Sequence, residues 1–581
     1  MVKMKASQAL VQVLANWQID HVYGIPADSL IDGFAAERDQ VRYIQVRHEE
    51  VGALAAAAEA KLTGKIGVAL ASVGPGALHL LYGLCDAKMD HAPMLVIMSN
   101  VATSMMNTHY LQDMNEDELF AGLDTYHVQV SDAKQIPTTI QEAIQVAYET
   151  QMPSVVIIPD DLANHEIESP TLPVVQPQTP VCEVHGQDVL TTASLIQAAQ
   201  RPVMLVGTGV RHAQAEVVAV SEKYGLPVIP TAPAVGYVPS QFKNNLGPAG
   251  RIGTQPAHEA LKMADLIVMV GSNYPFLRFL PNQPKVVQID RSASALGVQS
   301  AVTQAVQADA KKFLDQLLNV TIDEQPATPF LLACQQSRRN WHHYLDQQAN
   351  DRPNGLLTAE AVLQALQPVL KSDAVYGLDI GNNTIWSVRN LPFSGQQAMT
   401  MSAWLGAMGY GMAAGIAAQV SFPDRQVVTV SGDGGFSMVV QDLLTQVQYQ
   451  LPVLNVVLEN GGYGFIRQEK AKTGQTDYAL TFKNANWAGV AENMGAIGLR
   501  VTDDASLASA IAVIAEHFKQ GVKIPIVLDA IISDQSPLDT SEMLLDEQRD
   551  GVQAVADYRK ANHLPADQYP SLRTLMNQFT N

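Results

Sequence analysis

Two short runs hold the residues best suited to chemistry. Ser431-Gly432-Asp433-Gly434-Gly435 follows an apolar run, Gln426–Val430, that reads as a strand, and Asn460-Gly461-Gly462-Tyr463-Gly464 follows another, Leu454–Leu458. Asp433 and Asn460 at neighbouring strand ends can give two oxygens to one hard cation. Magnesium takes near-octahedral oxygen ligands and keeps some from phosphates and water. The glycines let backbone N–H groups approach a diphosphate. Two ordinary glycine turns are the alternative, and Gly-Asp-Gly alone does not separate the readings. The second run at this spacing favours a metal–diphosphate anchor.

The elements that position these runs occur twice. Displaced by 359 positions, the chain matches itself over roughly 45 residues without a gap: Gly52 falls on Gly411, Ser72 on Ser431, Val73-Gly74-Pro75-Gly76 on Gly432-Asp433-Gly434-Gly435, and Pro93 on Pro452. Each copy reads helix, strand, glycine turn, helix, strand, which implies a parallel sheet with crossover helices. Two related α/β domains are expected, over 1–180 and 355–540, and only the second carries the Asp/Asn pair. Ligands of open α/β sheets sit beyond the carboxyl ends of strands, where both glycine turns fall. A third α/β unit is expected over 185–345, with strands near 203–206, 226–229, 266–270 and 285–289, all short apolar runs. Residues 169–183 read as a linker, and 541–581 as a tail of short helices. The fold class is therefore α/β, with three doubly wound parallel-sheet domains.

Bulk properties narrow the function. The chain has 581 residues, 47% hydrophobic and 16% charged, with a net charge of −20, which suits a well-buried globular protein. No long basic run points to nucleic acid. Cys85, Cys182 and Cys334 lack metal-ligand spacing, and a reducing cytoplasm fits them. No apolar run approaches about 18 unbroken residues, so no transmembrane segment is expected.

A carboxylate stands at another strand-to-helix junction. The strand Arg42–Val46 runs into Arg47-His48-Glu49-Glu50-Val51-Gly52, ahead of an Ala-rich helix. Glu49 can point into a cleft, or simply be a helix N-terminal charge favoured by the macrodipole.

The run Gln45–Gly52, the loop Gly74-Pro75-Gly76 and the 432–464 motif together resemble the pyruvate oxidase branch of thiamine diphosphate enzymes. Further matches are Tyr23-Gly24-Ile25-Pro26, Gln112-Asp113-Met114-Asn115, Gly271-Ser272-Asn273-Tyr274-Pro275-Phe276, Gln441–Tyr449 and Tyr463-Gly464-Phe465-Ile466. The resemblance implies that Glu49 hydrogen-bonds N1′ of the aminopyrimidine and promotes its imino tautomer, whose 4′ nitrogen removes the C2 proton. It implies that Asp433, Asn460 and the Gly462 carbonyl hold Mg2+, and that Gly434 and Gly435 cradle the diphosphate of thiamine diphosphate. Met408 would be the apolar wedge that bends the cofactor; core filler is its other reading. Leu111, Gln112, Ile380, Phe465, Ile466 and Glu469 match residues lining the substrate pocket.

The central domain of this branch binds FAD. Gly207, Gly209, Arg251, Gly271, Ser272, Asn273, Asp290 and Asp309 occupy the matching places, and ordinary strand-end turns are the alternative. The implied activity is oxidative decarboxylation of pyruvate with phosphate and oxygen, giving acetyl phosphate, CO2 and hydrogen peroxide. A quinone-linked dehydrogenase releasing acetate, an acetolactate synthase-type carboligase and a non-catalytic assembly subunit are the other expectations. The short loop after Phe276 matches the quinone-linked enzymes, and the tail the soluble oxidases. A homotetramer with active sites between subunits is implied.

Overall fold

Three parallel sheets account for the alternation read from the sequence. The computed structural model describes residues 3–168, 170, 172–175, 182–322, 327–538, 551–561 and 570–580. The expected linker over 169–183 and tail over 541–581 lie partly outside the described residues. A small antiparallel pair joins β1 (Lys3–Lys5) to β8 (Glu166–Glu168).

The N-terminal sheet holds β2 (His21–Gly24), β3 (Arg42–Gln45), β4 (Gly67–Ala71), β5 (Met94–Asn100), β6 (Tyr126–Gln129) and β7 (Pro153–Pro159) in the order β3-β2-β4-β5-β7-β6. The C-terminal sheet holds β14 (Val375–Leu378), β15 (Ala398–Met401), β16 (Val427–Gly432), β17 (Leu454–Glu459), β18 (Ile497–Val501) and β19 (Ile526–Ile531) in the order β15-β14-β16-β17-β19-β18. Strand for strand the two orders are the same, so the internal repeat extends beyond its 45 legible residues to the whole sheet. The central strands of both sheets are buried except at the last residue of β16 and of β17, as sheets covered by helices on two faces require.

The two sheets are held together by the helices that follow equivalent strands. Glu49–Thr63 is buried almost all round, and its alanines share one core with Ala413, Ala414 and Ala417 of the helix Tyr410–Ser421. Small residues let the two backbones approach closely. At the far end of the first helix, Lys61 reaches Asp86 at 2.6 Å and Asp90 at 2.5 Å, and Asp90 accepts the Ala403 and Trp404 amides at 3.0 Å each. Burial alone would drive Lys61 towards neutrality, but Tyr410, Asp86 and Asp90 outweigh it and raise its pKa. This charged lysine bridges the two sheets.

The central sheet runs β10 (Val228–Pro230), β9 (Pro202–Val206), β11 (Leu266–Val270), β12 (Lys285–Asp290) and β13 (Gln304–Gln307), all parallel. The sequence reading anticipated the first four of these in chain order and missed β13, whose pattern Gln304-Ala305-Val306-Gln307 is too polar for a buried run. The strand order reverses between β9 and β11, which makes the crevice beyond their carboxyl ends a switch point.

Candidate active site

The C-terminal sheet builds a polar cradle where β14, β16 and β17 end. Asp433 opens the helix Asp433–Val439 directly after β16 and is only 2% exposed. Its Oδ1 accepts the Gly434 amide at 2.9 Å, and its Oδ2 accepts the Gly461 amide at 2.7 Å and the Asn484 side chain at 2.8 Å. Burial raises its pKa and these hydrogen bonds oppose the rise. Among the described residues no lysine or arginine forms an ion pair with it. The Gly461 bond brings the Asp433 carboxylate against the 460–462 turn, so the three expected metal ligands are gathered in one place. That turn is itself fixed from outside, by Tyr463 N–H to the Leu480 carbonyl and Phe482 N–H to the Gly461 carbonyl.

Apolar residues stand over the cradle. Gly406 (φ +76°) and Gly409 (φ +87°) bracket Met408 in conformations that favour glycine. This double turn brings the Met408 methyl 3.4 Å from where a side chain on Gly434 would begin, and Tyr463 covers the same point at 2.8 Å. Gly434 therefore tolerates no side chain. Ile380 lies beside Gly406 on the rim.

Three polar groups here escaped the sequence reading. Asp379, 0% exposed, accepts the Ile380 amide at 2.7 Å and the Gly409 amide at 2.9 Å, and so ties the Met408 turn to the end of β14. Burial pushes its carboxyl up to about 6. Asn484 was missed, as was Asn382, whose side-chain oxygen and nitrogen are both buried without a partner facing Gly464. A buried amide in that state costs free energy unless something bonds it. An uncompensated buried carboxylate, an orphaned amide and glycine turns fit a magnesium diphosphate. Position after a strand end was the available signal for Asp379.

Glu49 opens its helix from the end of β3 and is 7% exposed. Its Oε2 lies 2.8 Å from His79 Nδ1, which must carry the proton when Glu49 is ionised, and Oε1 faces Gly76. The His48 and His79 rings lie 4.2 Å apart. Within one chain Glu49 does not join the metal cradle. Its neighbour Arg47 donates its amide to Asp442 at 2.8 Å, beyond the opposite end of the helix that Asp433 opens. Among the described residues no hydrogen bond links Glu49 to Asp433, Asn460 or Gly462.

The expected substrate-pocket residues fall into two groups. Leu111 and Gln112 are exposed on the N-terminal domain, Gln112 with φ +63° and its side chain against Gly74. Phe465, Ile466 and Glu469 lie on the helix Gly464–Lys472. Arg251, expected with the flavin set, pairs with Glu469 and stacks over the Phe465 ring at 4.4 Å. It thereby links the central domain to the helix Gly464–Lys472.

The remaining flavin candidates line the switch point. A side chain on Gly207 or Gly209 would collide with the Gly271 backbone, and the Gly207 and Gly209 amides already donate to Val270 and Gly271 carbonyls. Close strand-end packing is thus sufficient reason for these glycines. Ser272 and Asn273 follow Gly271 off β11, and Asp290 ends β12, its pKa raised by burial. Asp309 caps the helix Ala310–Asn319 through the Lys312 amide. A crevice of this topology with an acidic group at the next strand end fits a nucleotide.

Comparison with known proteins gives this architecture a family. Models of the thiamine pyrophosphate enzymes match three stretches: the N-terminal binding domain over residues 4–119, the central domain over 189–317 and the C-terminal binding domain over 379–529. A Bacillus subtilis protein, YdaP, named as thiamine pyrophosphate-containing, is 37% identical over 92% of this chain and 92% of its own. The pyruvate oxidase of Lactiplantibacillus plantarum is also 37% identical, over 99% of this chain and 96% of its own. An acetolactate synthase large subunit of Corynebacterium glutamicum is 27% identical over 92% and 88%. The chain belongs to the thiamine pyrophosphate enzymes.

Proposed function

We propose that the protein is a thiamine diphosphate- and FAD-dependent pyruvate oxidase, forming acetyl phosphate, CO2 and hydrogen peroxide from pyruvate, phosphate and oxygen. The observation that carries the reading is the pairing of a buried, metal-competent Asp433 cradle with the buried carboxylate Glu49 on the duplicated sheet. The full-length likeness to a pyruvate oxidase, against 27% for an acetolactate synthase, favours this branch.

Bound thiamine diphosphate would supply a nucleophilic carbon and an electron sink for decarboxylation, and FAD would supply an electron acceptor. Asp433, Asn460 and Gly462 would hold Mg2+ and the diphosphate, and Met408 would brace the cofactor above Gly434. Glu49 would hold a proton at N1′ of the aminopyrimidine, with His79 steadying its other oxygen. Gln112 and Glu469 would present polar groups to pyruvate and phosphate, and Arg251 would keep the Glu469 charge in check. Because Glu49 and the cradle do not meet in one chain, a second copy would complete the site. The half-exposed Leu78 and Met438, on the helices after the two glycine turns, favour such an apolar interface. Among the described residues no helix is long and apolar enough to cross a membrane.

The test follows peroxide and acetyl phosphate together in aerobic buffer with pyruvate and phosphate. Both should accumulate at equal rates. Acetate with quinone reduction and no peroxide would replace the oxidase with the dehydrogenase. Acetolactate without net flavin reduction would replace it with the carboligase, and no turnover in cofactor-loaded protein would favour the non-catalytic reading.

A further inference from the structure

Glu116 is a buried acid that the proposed chemistry leaves unused. It follows the loop carrying Leu111 and Gln112 and starts the helix Glu116–Ala121, with 0% exposure. Its Oε1 accepts the Gly74 amide at 3.0 Å, while its Oε2 is buried with no partner. Gly74 (φ +70°) begins the glycine turn of the N-terminal domain. Gln112 lies on the same glycine, its Cβ 3.1 Å from where a Gly74 side chain would begin. Two residues on, Gly76 faces Glu49 Oε1 at 3.4 Å from the equivalent point. One glycine turn therefore has Glu49 on one side, with Gln112 and Glu116 on the other.

The loop before Glu116 is held in an unfavourable shape. Asn107, His109 and Gln112 all have positive φ, at 61°, 62° and 63°. Asp113 collects the Asn107, Thr108 and His109 amides at 2.9–3.1 Å, which fixes the loop internally but not to the domain. The bond from Gly74 to Glu116 supplies that attachment.

We propose that Glu116 is a positioning residue that sets where Gln112 stands, by clamping the 107–115 loop to the Gly74 turn. The assignment rests on the pyruvate-site reading only for what Gln112 does; the clamp itself is independent of it. The clamp depends on protonation. Burial pushes the Glu116 carboxyl up to about 7, against the smaller opposing effect of the Gly74 amide. On the surrounding elements Asp117 lies 3.6 Å from His127 and Glu49 2.8 Å from His79. With the proton on Oε2, Oε1 still accepts from Gly74 and no buried charge remains. A raised carboxyl gives stability that is whole below the ordinary glutamate range and is lost as pH rises through about 7. The loop should therefore be tight in mild acid and looser above neutrality.

The experiment uses the full chain loaded with thiamine diphosphate and Mg2+, comparing wild type with Glu116→Gln and Glu116→Ala. Amide deuterium exchange over 107–115, corrected for intrinsic rate, reads the clamp directly. Wild type should lose protection as pH passes through about 7. The glutamine variant keeps an acceptor for Gly74 without a titrating proton, so it should stay protected across the range. The alanine variant should exchange roughly tenfold faster at every pH, as expected for one lost buried hydrogen bond. In steady state with pyruvate, the alanine variant should raise KM more than it lowers kcat, and glutamine should restore it. Equal protection in wild type and the alanine variant, or equal loosening in both variants, overturns the proposal. If alanine does not fold, a glutamine variant with the wild-type pH profile overturns it alone. Absence of pyruvate turnover in wild type would count against the reaction reading, and the exchange result would still decide the clamp.

Discussion

The N-terminal and C-terminal sheets share a strand order, yet they carry opposite chemistry at equivalent points. At the offset of 359 positions, Glu49 falls on Met408 and Gly74 on Asp433. The start of the paired helix presents a carboxylate in one domain and a thioether in the other. The glycine turn presents no charge in one and a buried carboxylate in the other. A duplicated scaffold delivers side chains to the same place relative to its sheet, and on the proposed function the two copies would divide the work: one sheet would offer an acid–base group, the other an anchor for a metal and diphosphate. On that reading neither would suffice alone; within one chain the Arg47 amide donates to Asp442, beyond the helix that Asp433 opens.

The most damaging way to break the comparison is to make the two turns alike in charge. Asp433→Ala removes the carboxylate expected to hold the metal, so a bound diphosphate would lack its counter-ion. Binding of thiamine diphosphate with Mg2+, followed by calorimetry, should vanish along with all turnover. Equal binding by wild type and variant would mean that the anchor lies elsewhere.

The other sheet is tested by Glu49→Gln, which should bind cofactor almost normally. The amide cannot pass a proton to and from N1′, and acid–base help of this kind contributes about 10²–10⁴-fold. Exchange of the C2 proton, followed by NMR, should slow by that factor. An unchanged rate would remove Glu49 from its role.

How much of this was legible follows from what each residue depends on. Glycine turns after apolar runs, and a repeat of helix, strand and turn, are local patterns, so the two flanking α/β domains could be read in advance and the neighbouring turns of Asp433 and Asn460 located. Ile380 was singled out while Asp379 beside it was not. Its place after a strand end is a local signal, but its bond to Gly409, thirty positions away, is not. Asn484 reaches Asp433 across 51 positions. The neighbours of Arg251 in sequence give no sign of its ion pair with Glu469, which lies on another domain.

Asp379 gives a smaller, graded test, because the N-terminal sheet has no counterpart to it. Asp379→Ala leaves the buried Ile380 and Gly409 amides without acceptors, a loss of about 2–4 kcal/mol, measurable by urea unfolding. Its carboxyl is raised to about 6 by burial, so wild-type stability from this group is whole in acid and declines as pH rises towards 6. The gap between wild type and variant should therefore be widest near pH 4 and narrow by about 1–3 kcal/mol by neutrality. A gap that widens with pH would contradict the assignment.

The smallest expected effect concerns a bond that joins the helix carrying His79 to Met408 within a chain. Tyr82 lies one helical turn beyond His79, and its hydroxyl donates to the Met408 carbonyl at 3.5 Å. That is the long limit of a hydrogen bond, and Tyr82 is only half-buried, so its net worth falls at the low end of the range, about 0.5 kcal/mol. Tyr82→Phe should weaken thiamine diphosphate binding about twofold and leave C2 proton exchange unchanged, since neither Glu49 nor Asp433 is touched. A tenfold or larger loss of affinity would mean that the two halves are coupled through Met408, and that the division of labour between the sheets is less complete than their separate hydrogen-bond networks imply.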